Sequence, residues 1–419
     1  MVEGPRAGAE SLMRVLFLSR RFFPAISGMS IYALNLLRQL VAAGHDVTMI
    51  SQYRGDAFGR GVYGGGPPPP VPGVKLIGLE AFGEQAGGDF ERDVAAMVDA
   101  IVAEHRLAPF DVLHAQYGYP NGWAVLLASR MLGVPNLVSI QGGDGHWVGS
   151  CCETHRLAMT RVLSHAGALL IGGRSFAEEV RDRLGTPLER FTLVPGAVDT
   201  ERFAPGEPLG PDDPVRILYH GRVDRRKGVL DFLHALAMLR GGTEHRWTAT
   251  VSGVGPDLEP AKALSAELGL DARVRFSGYA EYDAAPQLYR AHDVFASPTY
   301  AEGFSNTILE AMASGLAVLS CRAVGVVDCL RDGENGLLVE PGDVPAQAAA
   351  LARLVDDRAL RARLAAAALE ECRRTYGWHA VGRRIMGEYE RLKGTAPDVA
   401  FDPALPLTPC RFRETPHLL

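Results

Sequence analysis

Two carboxylates, Glu302 and Glu310, lie eight positions apart in the segment 301–320, AEGFSNTILEAMASGLAVLS. Between them stand Ser305 and Asn306, which favour the N-cap of a helix, and the next residues are apolar at helical spacing. The first turn of such a helix offers N–H groups and a partial positive charge that suit phosphate. Carboxylate oxygens instead accept hydrogen bonds from hydroxyl groups. The segment therefore predicts a phosphate-binding helix end between two hydroxyl-binding carboxylates, as a nucleotide sugar requires.

A basic loop in the second half of the chain supplies positive charge for the same kind of ligand. It follows a strand-like run at 215–220 and reads GRVDRRKG, with Arg222 and Lys227 ahead of the next helical segment. Arginine binds two phosphate oxygens at once, and lysine adds a point charge. Taken alone, the glutamate pair and the basic loop are each more typical of solvated surface than of a binding site.

The elements that position these motifs alternate between strands and helices. In the first half, a strand-like run at 15–19, a loop that contains Gly28, a helical segment and a strand at 46–50 form a βαβ unit. Such units build parallel sheets whose ligands bind at the carboxyl ends of the strands. Gly28 lies at a helix start, where phosphate can bind, although the loop lacks the GxGxxG pattern of dinucleotide-binding proteins.

The length of 419 residues predicts two domains. Proline-rich segments mark a linker and a tail. The predicted parts, in chain order, are a flexible N-terminus at 1–12, a first domain at 13–204, a linker at 205–214, a second domain at 215–375, a helix at 376–393 and a loose tail at 394–419.

Charge and hydropathy exclude several classes of protein. The formal net charge is -6, so we expect no nucleic-acid partner. The sequence has no apolar run long enough to span a membrane, and its N-terminus lacks a signal-peptide pattern. We therefore expect a cytoplasmic protein, with association at the inner face of the membrane and the oligomeric state left open.

The six cysteines indicate thiols rather than a disulfide framework. Cys151 and Cys152 lie between His146 and His155, which is a composition that can bind a metal ion. Adjacent cysteines make a poor chelate for one ion, however, and a CxxC spacing is absent from this region. We therefore predict no metal site.

The stretch EGFSNTILEAMASGLAVLS resembles the E-x7-E signature of retaining glycosyltransferases with the GT-B fold, in the large family 4 group. Further motifs extend the resemblance over residues 13–393. It implies an α/β fold of two Rossmann-like domains whose parallel sheets face each other across a cleft. The first domain would bind the acceptor, the second the nucleotide sugar, and the helix at 376–393 would cross back to the first domain.

The resemblance also implies roles for individual residues. Glu302 would hold the hydroxyls of the donor sugar, helped by backbone N–H groups of Gly303 and Phe304, and Glu310 would bind the ribose. The residues implied as catalytic are Arg222, Lys227 and Glu302. Those implied to bind the donor are Gly28, Gly221, Gly278, Gly303, Phe304, Ser305, Asn306 and Glu310. Candidate contacts to the acceptor or sugar are His114, Gln141 and Asp144.

The implied reaction moves a sugar from a nucleotide diphosphate, UDP or GDP, to a hydroxyl of a glycan, a lipid-linked or a small-molecule acceptor. The anomeric configuration would be retained by same-face attack, with a donor phosphate oxygen taking the acceptor proton. Arg222, Lys227, the helix start at 305–306 and the Gly28 loop would stabilise the leaving diphosphate. No cofactor and no metal ion is therefore expected.

Three positions depart from the family pattern. Met29 and Val324 stand where glycines are common, and Gln141 stands where a histidine is common. A further glutamine, Gln116, occupies the place of a second frequent histidine. The departures at Met29, Gln141 and Val324 keep open a catalytically silent sugar-nucleotide-binding protein. A nucleotide-sugar epimerase or a phosphorylase on the same fold is the alternative enzyme.

Overall fold

The computed structural model describes residues 12–25, 27–57, 60, 65–83, 85, 87–146, 148–208, 210, 213–242 and 246–410. These residues form two compact units. The first consists of the described residues up to Gly172, of Ala177–Val194 and of the described residues from Gly382 onward, and the second consists of Gly173–Phe176 and Pro195–Val381. Within the described residues, no helix is both long and apolar enough to cross a membrane.

The first unit is built on a parallel sheet of seven strands in the order β3-β2-β1-β4-β5-β6-β7. Strands β4 and β5 are buried along their whole length, as expected for a parallel sheet covered on both faces. The strands are β1 Arg14–Ser19, β2 Asp46–Tyr53, β3 Val74–Glu80, β4 Val112–Gln116, β5 Asn136–Ile140, β6 Ala168–Ile171 and β7 Phe191–Leu193. The helices from this part of the sequence are α1 Gly28–Ala42, α2 Phe90–Leu107, α3 Trp123–Leu132, α4 Gly143–His146, α5 Glu153–His165 and α6 Arg174–Leu184.

The second unit has a six-stranded parallel sheet in the order β10-β9-β8-β11-β12-β13. Two apolar clusters of buried residues form its core. Its strands are β8 Val215–His220, β9 Trp247–Ser252, β10 Val274–Gly278, β11 Val294–Ser297, β12 Ala317–Cys321 and β13 Leu337–Val339. Its helices are α7 Val229–Gly242, α8 Leu258–Glu267, α9 Ala285–Arg290, α10 Asn306–Ala313, α11 Val344–Asp356 and α12 Arg358–Thr375, and α13 Trp378–Leu392 starts in this unit and ends in the first. The predicted α/β class with two Rossmann-like units is confirmed.

The predicted linker at 205–214 requires correction, because the units divide between Val194 and Pro195. The described residues of the supposed linker lie on the second unit. A Cβ atom at Gly206 would lie only 2.2 Å from the carbonyl oxygen of Arg290, and one at Gly315 would lie 3.1 Å from Cγ of Pro205. The prolines in this segment predicted an interdomain linker, but an extended proline-rich chain can also lie against a domain. Residues 209, 211 and 212 lie outside the described residues.

The predicted loose tail is also wrong for residues 394–410, which lie against the first unit. Phe401 is 8% exposed and its ring contacts that of Trp123 edge-on, with centroids 5.8 Å apart. Thr154 donates a hydrogen bond from its hydroxyl to the carbonyl of Pro406 at 2.5 Å. Side chains therefore anchor a segment that has no periodicity of its own. Residues 411–419, and 1–11 of the predicted flexible N-terminus, lie outside the described residues.

Candidate functional site

The carboxyl edge of the second sheet carries nearly all the residues predicted to bind the donor. Gly221 follows β8, Gly278 ends β10, and the loop from Glu302 leads from β11 to α10. Strand β8 pairs with both β9 and β11, and β9 with β10, so these loops emerge side by side. Gly28, by contrast, lies in the first unit.

Three glycines shape this edge because each has a positive φ. Gly221, Gly253 and Gly278 have φ values of 142°, 139° and 72°, which side chains of L-residues rarely adopt. A Cβ atom at Gly253 would lie 1.8 Å from the carbonyl oxygen of Gly221, and the Gly253 N–H donates to the carbonyl of Gly278 at 2.7 Å. The sequence indicated only weakly that Gly253 belongs to this edge, through its position directly after strand β9.

The basic loop is ordered by Asp224, which is 4% exposed. Its carboxylate accepts a hydrogen bond from the backbone N–H of Arg226 at 2.8 Å and lies 3.4 Å from Nε of Arg222. Burial opposes ionisation of Asp224, but hydrogen bonds from Arg226 outweigh it and hold the pKa below its usual value. Arg225 is bound by Asp257 at 2.7 Å. Asp224 and Asp257 thus engage the two arginines to which the sequence assigned no role.

Lys227 and Glu302 come into direct contact. Nζ of Lys227 lies 2.7 Å from Oε1 of Glu302 and donates a longer hydrogen bond, 3.4 Å, to the carbonyl of Ala301. Both side chains keep some exposure, 35% for the lysine and 18% for the glutamate. A cation suited to phosphate and a carboxylate suited to sugar hydroxyls therefore share one small region.

Backbone contacts fix the loop that carries Glu302. Its N–H donates to the carbonyl of Val324 at 2.9 Å. Gly325 has φ 75°, and a Cβ atom there would lie 2.3 Å from the Glu302 carbonyl oxygen. Val324 makes this contact through its backbone carbonyl, which a residue with a side chain supplies as well as glycine does. Further along the loop, the ring of Phe304 lies 5.8 Å from that of Tyr376, which anchors the segment after Gly303.

Helix α10 starts as predicted, with Ser305 at the N-cap and Asn306 as the first helical residue. The Ser305 hydroxyl makes no capping hydrogen bond to the helix and lies 3.3 Å from that of Thr307. The helix start thus lacks the usual side-chain cap. Uncapped N–H groups and the helix dipole suit an anion at this place.

Glu310 lies one turn into α10 and is 7% exposed. Burial raises the pKa of Glu310 to about 7. Tyr289 donates a hydrogen bond from its hydroxyl to Oε2 of Glu310 at 2.8 Å. Tyr289 is itself fully buried and was missed by sequence reasoning, because nothing in its surroundings along the chain distinguishes it from a core tyrosine.

His114, a candidate acceptor contact, lies in the interior of the first unit. It is 0% exposed in β4, with Nδ1 2.6 Å from the Tyr389 hydroxyl and Nε2 2.8 Å from that of Ser139. Burial lowers the pKa of His114 to about 3. An acceptor contact does not fit this position, and His114 instead connects β4 to β5 and α13.

Asp144 also holds the fold and does not fit a sugar contact. It is 0% exposed, and its two oxygens accept hydrogen bonds from the N–H groups of Gly118 (2.7 Å) and Gln141 (2.9 Å). Burial raises the pKa of Asp144 to about 6, against the opposing effect of these hydrogen bonds. Its role is to order the loops that follow β4 and β5.

Gln141 lies at the edge of a polar chain after β1, β4 and β5. Nε2 of Gln116 donates to Oε1 of Gln141 at 2.9 Å and to the carbonyl of Met29 at 3.0 Å. Ser19 donates to Oε1 of Gln116 at 2.8 Å. Gly28, beside Met29, is exposed as the first residue of α1. The departures at Met29, Gln116 and Gln141 are therefore joined in one hydrogen-bonded group.

The first unit also contains a pocket beyond β1 and β2. Three arginines line it, Arg20, Arg21 and Arg54, and we call it the arginine pocket. Arg20 is 8% exposed and its guanidinium lies 4.9 Å above the Tyr117 ring, while Arg54 binds Asp56 at 2.7 Å. The sequence contained a signal that was not used, since Arg20 and Arg21 directly follow the strand predicted at 15–19. Arg54 follows the observed end of β2, three residues beyond the predicted one.

Solved structures with the same architecture identify the fold. Sucrose-phosphate synthase from Thermosynechococcus elongatus has a TM-score of 0.74 at 23% identity, covering 91% of this chain and 99% of that one. HepE of Anabaena, in complex with UDP and glucose, has a TM-score of 0.67 at 18% identity, covering 90% and 100%. At this identity the likeness shows the fold, which is the two-unit GT-B fold of glycosyltransferases.

Sequence similarity identifies the family. Residues 201–371 match the family described as glycosyl transferases group 1, and residues 27–197 match the one described as glycosyl transferase 4-like domain. A D-inositol 3-phosphate glycosyltransferase of Frankia alni is 30% identical over 398 residues, covering 86% of this chain and 94% of the relative. The chain belongs to the group 1 glycosyltransferases and is an enzyme that transfers sugar.

Proposed function

We propose that this enzyme transfers a sugar from a nucleotide diphosphate to a hydroxyl group with retention of configuration, without a metal ion. The contact between Lys227 and Glu302, 2.7 Å apart near the uncapped start of α10, carries the proposal. It brings together groups suited to a diphosphate and to sugar hydroxyls. Of the two donors expected from the sequence, UDP is favoured, because HepE shares the fold and binds UDP and glucose.

The chemical demand on the site is to stabilise charge on the leaving diphosphate. Lys227, Arg222 and the first-turn N–H groups of α10 would supply positive potential there. On donor binding, Lys227 would exchange Glu302 for phosphate oxygens, and the freed carboxylate would accept hydrogen bonds from the sugar. The acceptor oxygen would attack on the face from which phosphate leaves, and a phosphate oxygen would take its proton.

The arginine pocket favours an acceptor that carries an anionic group. Its guanidinium groups suit phosphate or carboxylate oxygens. The relative in Frankia alni is named for a phosphorylated inositol, which agrees with this class of acceptor. A small phosphorylated polyol is thus preferred over a neutral glycan or a lipid-linked sugar. Comparing each polyol with its phosphorylated form tests this choice, and equal rates with both would contradict it.

Thermal unfolding in the presence of UDP, GDP, ADP or TDP tests the donor. One nucleotide, supplied at 100 times its dissociation constant, is expected to stabilise the protein by about 2.7 kcal/mol. The shift should be equal with and without Mg²⁺, since protein groups carry the charge stabilisation. No shift with any of the four would contradict the proposal and favour a silent protein or another activity.

The nucleotide that binds identifies the base of the donor, and sugars linked to that nucleotide are then compared as substrates in a product analysis. Nuclear magnetic resonance of the product is expected to show the same anomeric configuration as the donor. An inverted product would contradict same-face attack while leaving the donor site intact. Epimerised donor, or sugar phosphate formed from inorganic phosphate, would instead identify an epimerase or a phosphorylase.

Glu310 predicts a pH dependence of nucleotide binding. Its pKa of about 7 means that the carboxyl is partly protonated near neutrality. Ribose hydroxyls would favour the ionised form, so affinity should fall as the pH drops below 7, by up to about tenfold per unit. Titration calorimetry from pH 5.5 to 8 measures this slope, because this pH range spans the ionisation of Glu310.

The variant Glu310→Gln is the control for this dependence. It should bind nucleotide more weakly and with a smaller slope over the same pH range, since glutamine does not titrate and only the terminal phosphate of the ligand does. The stability of the free protein should depend on pH in the opposite sense to nucleotide affinity. Because the folded state holds the Glu310 proton to a higher pH than the unfolded chain does, stability contributed by this group is lost as the pH rises through about 7. An unchanged slope in the variant would remove Glu310 from the site.

A further inference from the structure

Four potential metal ligands meet in the first unit. They are Cys151, Cys152, His155 and Cys410, and their ligand atoms all lie within 4.8 Å of one another. The cluster combines a short stretch before and within α5 with a cysteine from the C-terminal segment. The sequence did not reveal it, because the fourth residue lies in the supposed loose tail.

The start of α5 explains how three of these residues come together. Cys152 is the N-cap, and its sulfur accepts a hydrogen bond from the N–H of His155 at 3.5 Å. The N-cap and the third helical residue face each other in this geometry. Cys151 precedes the cap, and its sulfur lies 2.9 Å from Nδ1 of His155. Adjacent cysteines can therefore serve one ion here, which the sequence argument had discounted.

The C-terminal segment delivers Cys410 from 255 positions away. Thr154, which neighbours His155, binds this segment through the Pro406 carbonyl and through the N–H of Thr408 at 3.1 Å. Cys410 is 2% exposed, and its sulfur lies 3.7 Å from Nδ1 of His155. The burial of the Cys410 thiol is explained if it binds a metal ion.

The spacing of the four atoms agrees with tetrahedral zinc. Zn–S bonds near 2.3 Å and Zn–N bonds near 2.0–2.1 Å place neighbouring ligand atoms about 3.5–3.8 Å apart. Of the two distances from Nδ1 of His155, the one to Cys410 (3.7 Å) lies within this range, and the one to Cys151 (2.9 Å) is shorter and would lengthen on metal binding. The rings of Phe90 and Tyr119 contact His155 with centroids 5.2 and 4.3 Å away, which holds the imidazole in place.

We propose that Cys151, Cys152, His155 and Cys410 bind a structural Zn²⁺ ion. Three thiolates and one imidazole form a ligand set typical of zinc, which prefers soft ligands in tetrahedral geometry. Four protein ligands leave no open position, so the ion has no part in the sugar transfer. The bound site carries one net negative charge, which the N-terminal end of α5 stabilises.

The ion would fasten the C-terminal segment to α5. Binding removes the thiol protons and ties together residues that are distant in the chain, so its free energy contributes to folding. A structural zinc ion is compatible with a sugar transfer that needs no metal, and the two proposals are separate. Failure of one leaves the other unaffected, because the zinc ligands are not among the donor-binding residues.

The zinc content of the full-length protein, purified under reducing conditions without chelator, is the primary test. Mass spectrometry of the metal is expected to give one zinc ion per chain, falling to under about a tenth in Cys410→Ser and in Cys152→Ser. The matched control Cys321→Ser removes a buried thiol of the second unit and should keep its zinc. His155→Cys, which retains four ligands, should also bind.

Two further measurements keep the test decisive if a variant fails to fold. A chelator should lower the melting temperature of the wild type, and it should render Cys151, Cys152 and Cys410 open to alkylation while leaving Cys321 protected. A wild-type chain that contains no zinc, even after incubation with zinc chloride and desalting, would overturn the proposal. Zinc retained in both Cys410→Ser and Cys152→Ser, or a disulfide among these cysteines in the purified protein, would overturn it as well.

Discussion

Replacement of Lys227 by alanine is expected to lower kcat by about 10²–10³-fold, the usual effect of losing one preorganised group that stabilises transition-state charge. In the free enzyme Lys227 is held 2.7 Å from Glu302, so its charge is already in position before the donor binds. KM for the donor should change much less than kcat, because charge on the diphosphate grows as the bond to the sugar breaks. Steady-state kinetics with the donor identified above measures both constants.

Arg225→Ala is the matched control for this variant. It removes the same charge from the same loop, but the Arg225 side chain is 70% exposed and bound to Asp257. Its kcat should stay within about threefold of the wild type, as for most surface substitutions. Thermal unfolding should show that Lys227→Ala is folded, because a partly exposed ion pair contributes about 1 kcal/mol or less. A kcat for Lys227→Ala equal to that of the control would exclude Lys227 from the charge-stabilising site.

Substitution of Gly253 by alanine is expected to cost about 3 kcal/mol or more in the free energy of unfolding. The new Cβ atom would lie 1.8 Å from the carbonyl oxygen of Gly221, and φ of 139° is strained for any residue with a side chain. Neither backbone can move far, because both follow paired strands of the sheet. Nucleotide affinity should fall with stability, since Gly221 belongs to the predicted donor site.

Gly241→Ala provides the comparison in the same unit. Gly241 is exposed near the end of α7, and a Cβ atom there would meet no heavy atom within 4 Å. Its stability should match or exceed that of the wild type, by up to about 1 kcal/mol. Denaturant unfolding of both variants with and without nucleotide separates the two effects. A Gly253→Ala protein as stable as the control would show that the loops around the glycines relax freely.

The two glutamines at family histidine positions behave as a pair. Gln116 and Gln141 hydrogen-bond to each other, and Gln116 also binds the Met29 carbonyl. Neither amide can become cationic, so proton transfer by these side chains is not available. The sequence showed each departure separately, whereas the structure shows that they form one polar group after β1, β4 and β5.

The amino-acid sequence by itself determined the class of fold and the donor-site motifs. Alternating strand and helix patterns predicted the parallel sheets, and Ser305 and Asn306 predicted the start of α10. These features are local, since a helix start or a strand end depends on a few neighbouring residues. The family resemblance added the roles of Arg222, Lys227 and Glu302, which lie at the carboxyl edge of the second sheet.

Only the tertiary structure decided which distant side chains meet. Tyr289 reaches Glu310, His114 is enclosed between Ser139 and Tyr389, and Cys410 returns to the start of α5. Each contact joins separate segments of the chain, up to 275 positions apart for His114 and Tyr389. Burial and packing set such contacts, and they leave no periodic trace in the sequence, which is why a buried histidine resembled a ligand contact and an anchored segment resembled a loose tail.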